Sequence, residues 1–170
     1  GTDKQFDDKL TSGLAWDLAF HHYIKNFGWG IFYSGYSSDS YYEKTNMDHN
    51  VLLSYIAPLF CTKYSFNKKW MINGEVGVGY LKFSDKISSG IEKGKTYVST
   101  VGFNYGIGIE YKLNKHMGIG ISFNEIVGSA FLKNIKMENV HSIIAYNDYD
   151  RINLNRLNLL GGIRFYFGDR

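Results

Sequence analysis

Proline occurs once in this chain, at Pro58, and cysteine once, at Cys61. A lone cysteine excludes an intrachain disulfide and any multi-cysteine metal site, and leaves Cys61 as a small apolar filler in a strand. No run of about eighteen apolar residues exists, which excludes a membrane-spanning helix. Charge of one sign is scarce too. Nineteen Lys and Arg stand against sixteen Asp and Glu, for a net charge of +3. They are scattered, with none of the basic blocks that mark nucleic-acid binding. The polar opening Gly1-Thr2-Asp3-Lys4 has no signal-peptide pattern, so a mature or trimmed form is expected. At 170 residues the chain reads as one domain with enough length for a core.

What is plentiful is glycine, with 19 copies, and aromatic side chains, at 17% of the chain. Both fall into a period of two. In Tyr97 to Tyr111 the odd positions are Tyr97, Val101, Phe103, Tyr105, Ile107, Ile109 and Tyr111, with Ser99 the exception. The even positions include Thr100, Gly102, Asn104, Gly106, Gly108 and Glu110. Such alternation is a β-strand with one apolar face and one small, polar face. Similar strands are expected over 11–24, 27–38, 49–66, 70–84, 117–124 and 153–167. Pro58 cannot donate a ladder hydrogen bond, so a bulge is expected inside the third.

The connections alternate between short and long. Short turns are expected at Lys25-Asn26, Asn67-Lys68-Lys69 and Asn114-Lys115. Long polar loops are expected over 37–48, 85–95 and, least patterned of all, 127–152. Short turns at one end and long loops at the other describe an antiparallel up-and-down transmembrane β-barrel of the bacterial outer membrane. Tyr23, Phe27, Trp29, Tyr64, Phe66, Trp70, Tyr111, Phe165, Tyr166 and Phe167 would form an aromatic girdle near the short turns. Tyr36, Phe83, Tyr97 and Phe123 would form the opposite one. Seven strands are visible where single-chain barrels carry an even number. An eighth strand is expected upstream of Gly1, making residues 1–10 the end of an outer loop; a strand hidden in 127–152 is the alternative.

If the glycine-rich polar face is the lumen, Asp17, Glu75, Glu110, Arg156 and Arg164 all point inward. Buried charges must pair or cost several kcal/mol each, and the rigid fork of Arg suits carboxylates. The interior of an eight-stranded barrel is just wide enough for side chains. A salt-bridged plug is therefore favoured over a charged conduction path or proton site. A soluble β-barrel with its apolar face buried is the competing architecture.

The segments SYIAPLFCTKYS (54–65), GEVGVGYLKFSDK (74–86), TVGFNYGIGIEYKLNKHMGIG (100–120) and LNLLGGIRFYF (157–167) carry a resemblance. The chain resembles the small eight-stranded outer-membrane β-barrel proteins of the Bacteroidota, from Thr11 onward. The resemblance implies an integral outer-membrane protein with an N-terminal first strand. It rests on strands and turns rather than catalytic motifs. The tail departs from the pattern, since Gly168-Asp169-Arg170 follow Phe167 where such barrels tend to end on an aromatic.

No chemistry-bearing motif emerges. His21 and His22 are adjacent on a strand and diverge; His49, His116 and His141 lack partner spacing for a metal. His141-Ser142 near Glu138 is the only local candidate for an acyl-transfer site of the kind found in lipid A-modifying barrels, and its side chains diverge too. No catalytic residue, cofactor or metal is expected. The expected function is that of a non-enzymatic outer-membrane protein, an accessory subunit of a larger membrane complex or an envelope structural protein. The alternative is an autonomous barrel binding external ligands through its loops. Outer-membrane lipids and lipopolysaccharide are the expected surroundings. Tyr146, Asn147 and Tyr149 mark a candidate partner-binding loop, because Tyr is favoured at binding surfaces.

Overall fold

A computed structural model describes residues 13–42, 47–89, 92–131, 136–138 and 151–166. The fold is all-β. The strands are β1 (Leu14–Ile24), β2 (Phe27–Tyr42), β3 (Met47–Ser65), β4 (Trp70–Ser89), β5 (Glu92–Lys112), β6 (Met117–Phe131), β7 (Lys136–Glu138), β8 (Arg151–Asn153) and β9 (Arg156–Phe165). They form one antiparallel up-and-down sheet in the order β1-β2-β3-β4-β5-β6-β8, with β7 paired to β5 and β9 to β6. β8 and β9 face β6 in a single register, Asn153 opposite Ser129 and Arg156 opposite Ile126, so they are two stretches of one strand interrupted at Leu154-Asn155.

The turns follow from local chemistry. In two of them an asparagine side chain replaces missing ladder bonds. Asn67 Oδ1 accepts from the backbone N–H of Lys69 and Trp70 at 2.8 and 2.7 Å. Asn114 Oδ1 does the same for His116 and Met117 at 2.8 and 2.9 Å. This is the Asx habit that makes asparagine a turn residue. The β1–β2 turn is tighter, and Lys25 takes φ 61°, in the left-handed region.

Three expectations from the sequence are corrected. Residues 37–48 and 85–95 are largely not loops, because β2 and β3 stay paired out to Tyr42 opposite Met47, and β4 and β5 out to Ser89 opposite Glu92. In 127–152, residues 127–131 complete β6, 136–138 form β7 and 151–152 open β8. Nor is there a bulge at Pro58. Ile56 faces Tyr80 and Leu59 faces Gly77, so the β3–β4 pairing lapses at Ala57-Pro58 and resumes in the same register. The missing N–H breaks the ladder locally without adding a residue.

Alternation sorts the two faces. The inner face carries Phe32, Leu53, Tyr55, Ala57, Leu59, Leu81, Val98, Ile126, Ala130 and Leu154 in one buried cluster. Tyr55 sits at its centre with no exposed surface; its hydroxyl donates to Asn104 Oδ1 at 3.0 Å, and its ring lies 6.1 Å from that of Phe32. The outer face carries a continuous band of exposed Leu, Ile, Val and aromatic side chains, Val101 at 69% and Leu159 at 76% among them. Aromatic contacts run along this band near the short turns: Phe27 on Phe60 (6.0 Å), Phe66 on Trp70 (6.5 Å) and Trp70 on Tyr111 (5.0 Å). Four of the expected girdle residues belong elsewhere. Tyr36 and Phe83 pack against the inner cluster, and the hydroxyls of Tyr23 and Tyr166 are buried.

The sheet curls far enough for inner-face groups of β1 to meet those of β4 and β6, yet it does not close. Neither β1 nor β9 has a second strand neighbour among the described residues. Six antiparallel steps separate them, so β1 and β9 run in the same direction. Along this seam two inward-facing positions, Ala19 and Gly162, are exposed.

Candidate functional site

The inner face gathers the five charged residues named from the sequence into three groups. Nearest the short turns, Glu110 on β5 meets Arg164 on β9, with Oε2 to Nη1 at 3.1 Å. The Glu110 side chain is 4% exposed and that of Arg164 28%. Opposite Glu110 stands Gly120, where a Cβ would lie 2.6 Å from the Ile109 carbonyl oxygen and 3.2 Å from Glu110 Cα, so the backbone leaves room only for glycine.

The second group joins Glu75 on β4 to His21 on β1, with Oε2 to Nε2 at 2.9 Å and both side chains largely buried. The third carboxylate is thus satisfied by an imidazole rather than a guanidinium. The third group is a wider network. Asp17 on β1 accepts from the Ser34 hydroxyl and from Asn124 Nδ2 at 2.6 Å. Asn124 Oδ1 in turn accepts from Asn158 Nδ2 at 2.9 Å. Arg156 Nη2 donates to the Ser34 hydroxyl and stands 3.9 Å from Asp17. Arg156 Nε and Nη1 are buried without a hydrogen-bond partner.

These contacts reach across the sheet, from β1 to β4 and from β1 to β6, so they tie together walls that are far apart in strand order. Chemically the arrangement neutralises charge in a confined space. Among the described residues no group of three or more His, Cys, Asp or Glu side chains could hold a metal ion. The interior differs from an all-ionic plug in that an apolar cluster shares it with the ion pairs.

His21, Ser34, Asn124 and Asn158 are the members that charge counting overlooks. His21 shares the parity of Asp17 on β1, which is the signal that could have placed it inside. Glu138 lies in β7, whereas His141 and Ser142 are outside the described residues, as are Tyr146, Asn147 and Tyr149 of the candidate partner loop.

Comparison with known proteins adds no relative: no protein-family model, no curated protein and no solved structure matches the chain significantly.

Proposed function

We propose that the protein is a non-enzymatic integral outer-membrane β-barrel, with a filled interior, that acts through its outer surfaces. The observation that carries this reading is the inversion of the sheet: ion pairs lie on the enclosed face and the apolar band lies on the exposed one. Soluble monomers rarely leave a contiguous apolar patch above a few hundred Å² uncovered, whereas a bilayer covers such a band at no cost. On β5 the exposed band runs from Val101 to Ile109, within the roughly 9–11 residues that a tilted strand needs to cross a bilayer. Backbone groups in hydrocarbon must be paired, so the wall would be completed by one strand lying between β1 and β9 and antiparallel to both.

Beyond the band, β2–β3 and β4–β5 continue as paired hairpins. Such ladders extend the outer surface beyond the band, as suits a subunit that docks on a larger membrane complex or an envelope structural role. Outer-membrane phospholipid and lipopolysaccharide would surround the band.

All three tryptophans, Trp16, Trp29 and Trp70, face outward at 50, 53 and 38% exposure. Refolding into vesicles of phospholipid brominated on its acyl chains therefore tests the reading. Strong quenching of the Trp emission is expected; emission unchanged from that in unbrominated vesicles would refute membrane insertion. Extraction in mild detergent then separates the roles, since a subunit co-elutes with larger partners in fixed ratio and a structural barrel migrates alone.

A further inference from the structure

One carboxylate stands on the apolar face. On the outward positions of β4 over 72–80, β5 over 101–109, β6 over 119–127 and β9 over 157–163, Glu125 alone carries a charge. Across the ladder it faces Tyr105 on β5 and Leu157 on β9. Phe123 and Val127 flank it along β6, and Phe103 and Ile107 stand beside Tyr105 on the same face. Its chain neighbours Asn124 and Ile126 are buried inside the sheet, so strand alternation turns Glu125 outward.

Its depth follows from the register. Tyr111, in the aromatic girdle, lies opposite Ile119. From Ile119 to Glu125 the strand runs about 20 Å, or about 15 Å along the membrane normal at a tilt of about 40°. That is near the middle of a hydrocarbon core about 30 Å thick. The short glutamate side chain reaches neither interface, unlike the long stems of Lys and Arg that snorkel. Ionisable groups at such depth pair or mark a functional contact, and a charge on the lipid face of a barrel is destabilising according to its depth. Glu125 Oε2 accepts from the Tyr105 hydroxyl, a neutral donor that leaves the charge unbalanced. No cation pairs with Glu125 among the described residues.

We propose that this face of β5, β6 and β9 docks on a second integral outer-membrane protein, whose apolar wall turns one Lys or Arg side chain toward Glu125. The inference rests on the membrane reading above and selects its subunit form. The partner's cation supplies the missing countercharge, and a contact free of water makes that attraction strong. Phe103, Ile107, Phe123 and Leu157 surround the pair with apolar contacts that keep water and lipid out. The Tyr105 hydroxyl holds the carboxylate in place beforehand, so less ordering is needed on docking. A second copy of this chain fits poorly, because a two-fold contact through this patch sets two Glu125 carboxylates against each other.

The test compares the protein alone in phosphatidylethanolamine vesicles with the protein in the outer membranes that contain it. Both are treated with dicyclohexylcarbodiimide, an apolar reagent that modifies carboxyl groups reached from hydrocarbon, and Glu125 is followed by peptide mass spectrometry. Glu125 should be modified in vesicles and at least tenfold less in native membranes. Glu125→Gln keeps an acceptor for Tyr105 but no charge, and should lower the ratio of co-eluting partner in mild detergent at least tenfold. Ile31→Ala, outward on β2 and away from this face, should leave that ratio unchanged. Equal modification in both settings, none in vesicles, or unaltered co-elution of Glu125→Gln overturns the proposal. So does a carbodiimide-induced link from Glu125 to a lysine of the same chain, or a co-eluting second copy in place of a different protein. Bromolipid quenching of the Trp emission separates the two failures. Insertion with Glu125 equally modified in both settings sinks the docking face alone, whereas absent insertion sinks the membrane reading with it.

Discussion

Replacing Arg164 by Ala removes the one guanidinium beside Glu110 and leaves a carboxylate whose side chain is 4% exposed. Glu110 Oε1 is already without a hydrogen-bond partner. Breaking a buried ion pair costs about 3–5 kcal/mol. Arg164 is 28% exposed, and the water that reaches it would enter the vacated space. That lowers the expectation to about 2–3 kcal/mol. With a urea slope of about 2 kcal/mol per molar, the unfolding midpoint should fall by about 1–1.5 M. The assay is urea unfolding in vesicles or detergent, followed by Trp emission. Glu110→Gln combined with Arg164→Ala should recover most of the loss, because the stranded charge is gone and only the pairing is missing. An unchanged midpoint in Arg164→Ala, or a double variant no more stable than the single one, would refute the idea that these groups neutralise each other inside the sheet.

Other positions give contrasting expectations. Glu75→Gln should cost only about 1 kcal/mol, since a neutral amide still meets the His21 ring; a midpoint shift as large as that of Arg164→Ala would contradict this. Tyr55→Phe should lose about 1–2 kcal/mol, because Asn104 loses its buried donor, and an unaltered midpoint would show that the bond contributes nothing. Gly79→Ala should fold poorly: its Cβ would meet Ala57 Cβ at 2.5 Å and crowd the Ile56 carbonyl, beside the ladder break at Pro58. Gly162→Ala, whose Cβ would meet nothing within 4 Å, should fold normally, so equal refolding yields would remove the distinction. Lys25→Gly should stabilise by about 1 kcal/mol by relieving the left-handed conformation of the turn, measurable as a raised midpoint.

Period-two alternation was enough to locate seven strand positions, their antiparallel order and the short turns, because facing two different environments forces contrast between neighbours. Asp17 and Glu110 were legible as inward-facing from parity alone. The same reasoning explains where reading failed. Past about Asp39 on β2 and Asp85 on β4 both faces turn polar, so contrast disappears although the backbone ladder continues. Those hairpins therefore looked like loops. Pro58 signals a lost hydrogen bond but not whether an extra residue accompanies it, and the unchanged register decided against a bulge.

Local sequence also dictated the asparagine-capped turns and the exposed apolar band, since each depends only on residues a few positions apart. Partner choice inside the sheet is different. His21 meets Glu75 across 54 residues, and Asp17 meets Asn124 across 107. No spacing encodes such pairs; the coiling of the whole sheet sets them. Tertiary structure alone likewise divided the interior between an apolar cluster and three ionic groups. Parity already places Tyr23 with Asp17, Tyr36 with Ser34 and Phe83 with Glu75, so their face was legible; it names two faces, and the curvature of the sheet determined that this one is enclosed.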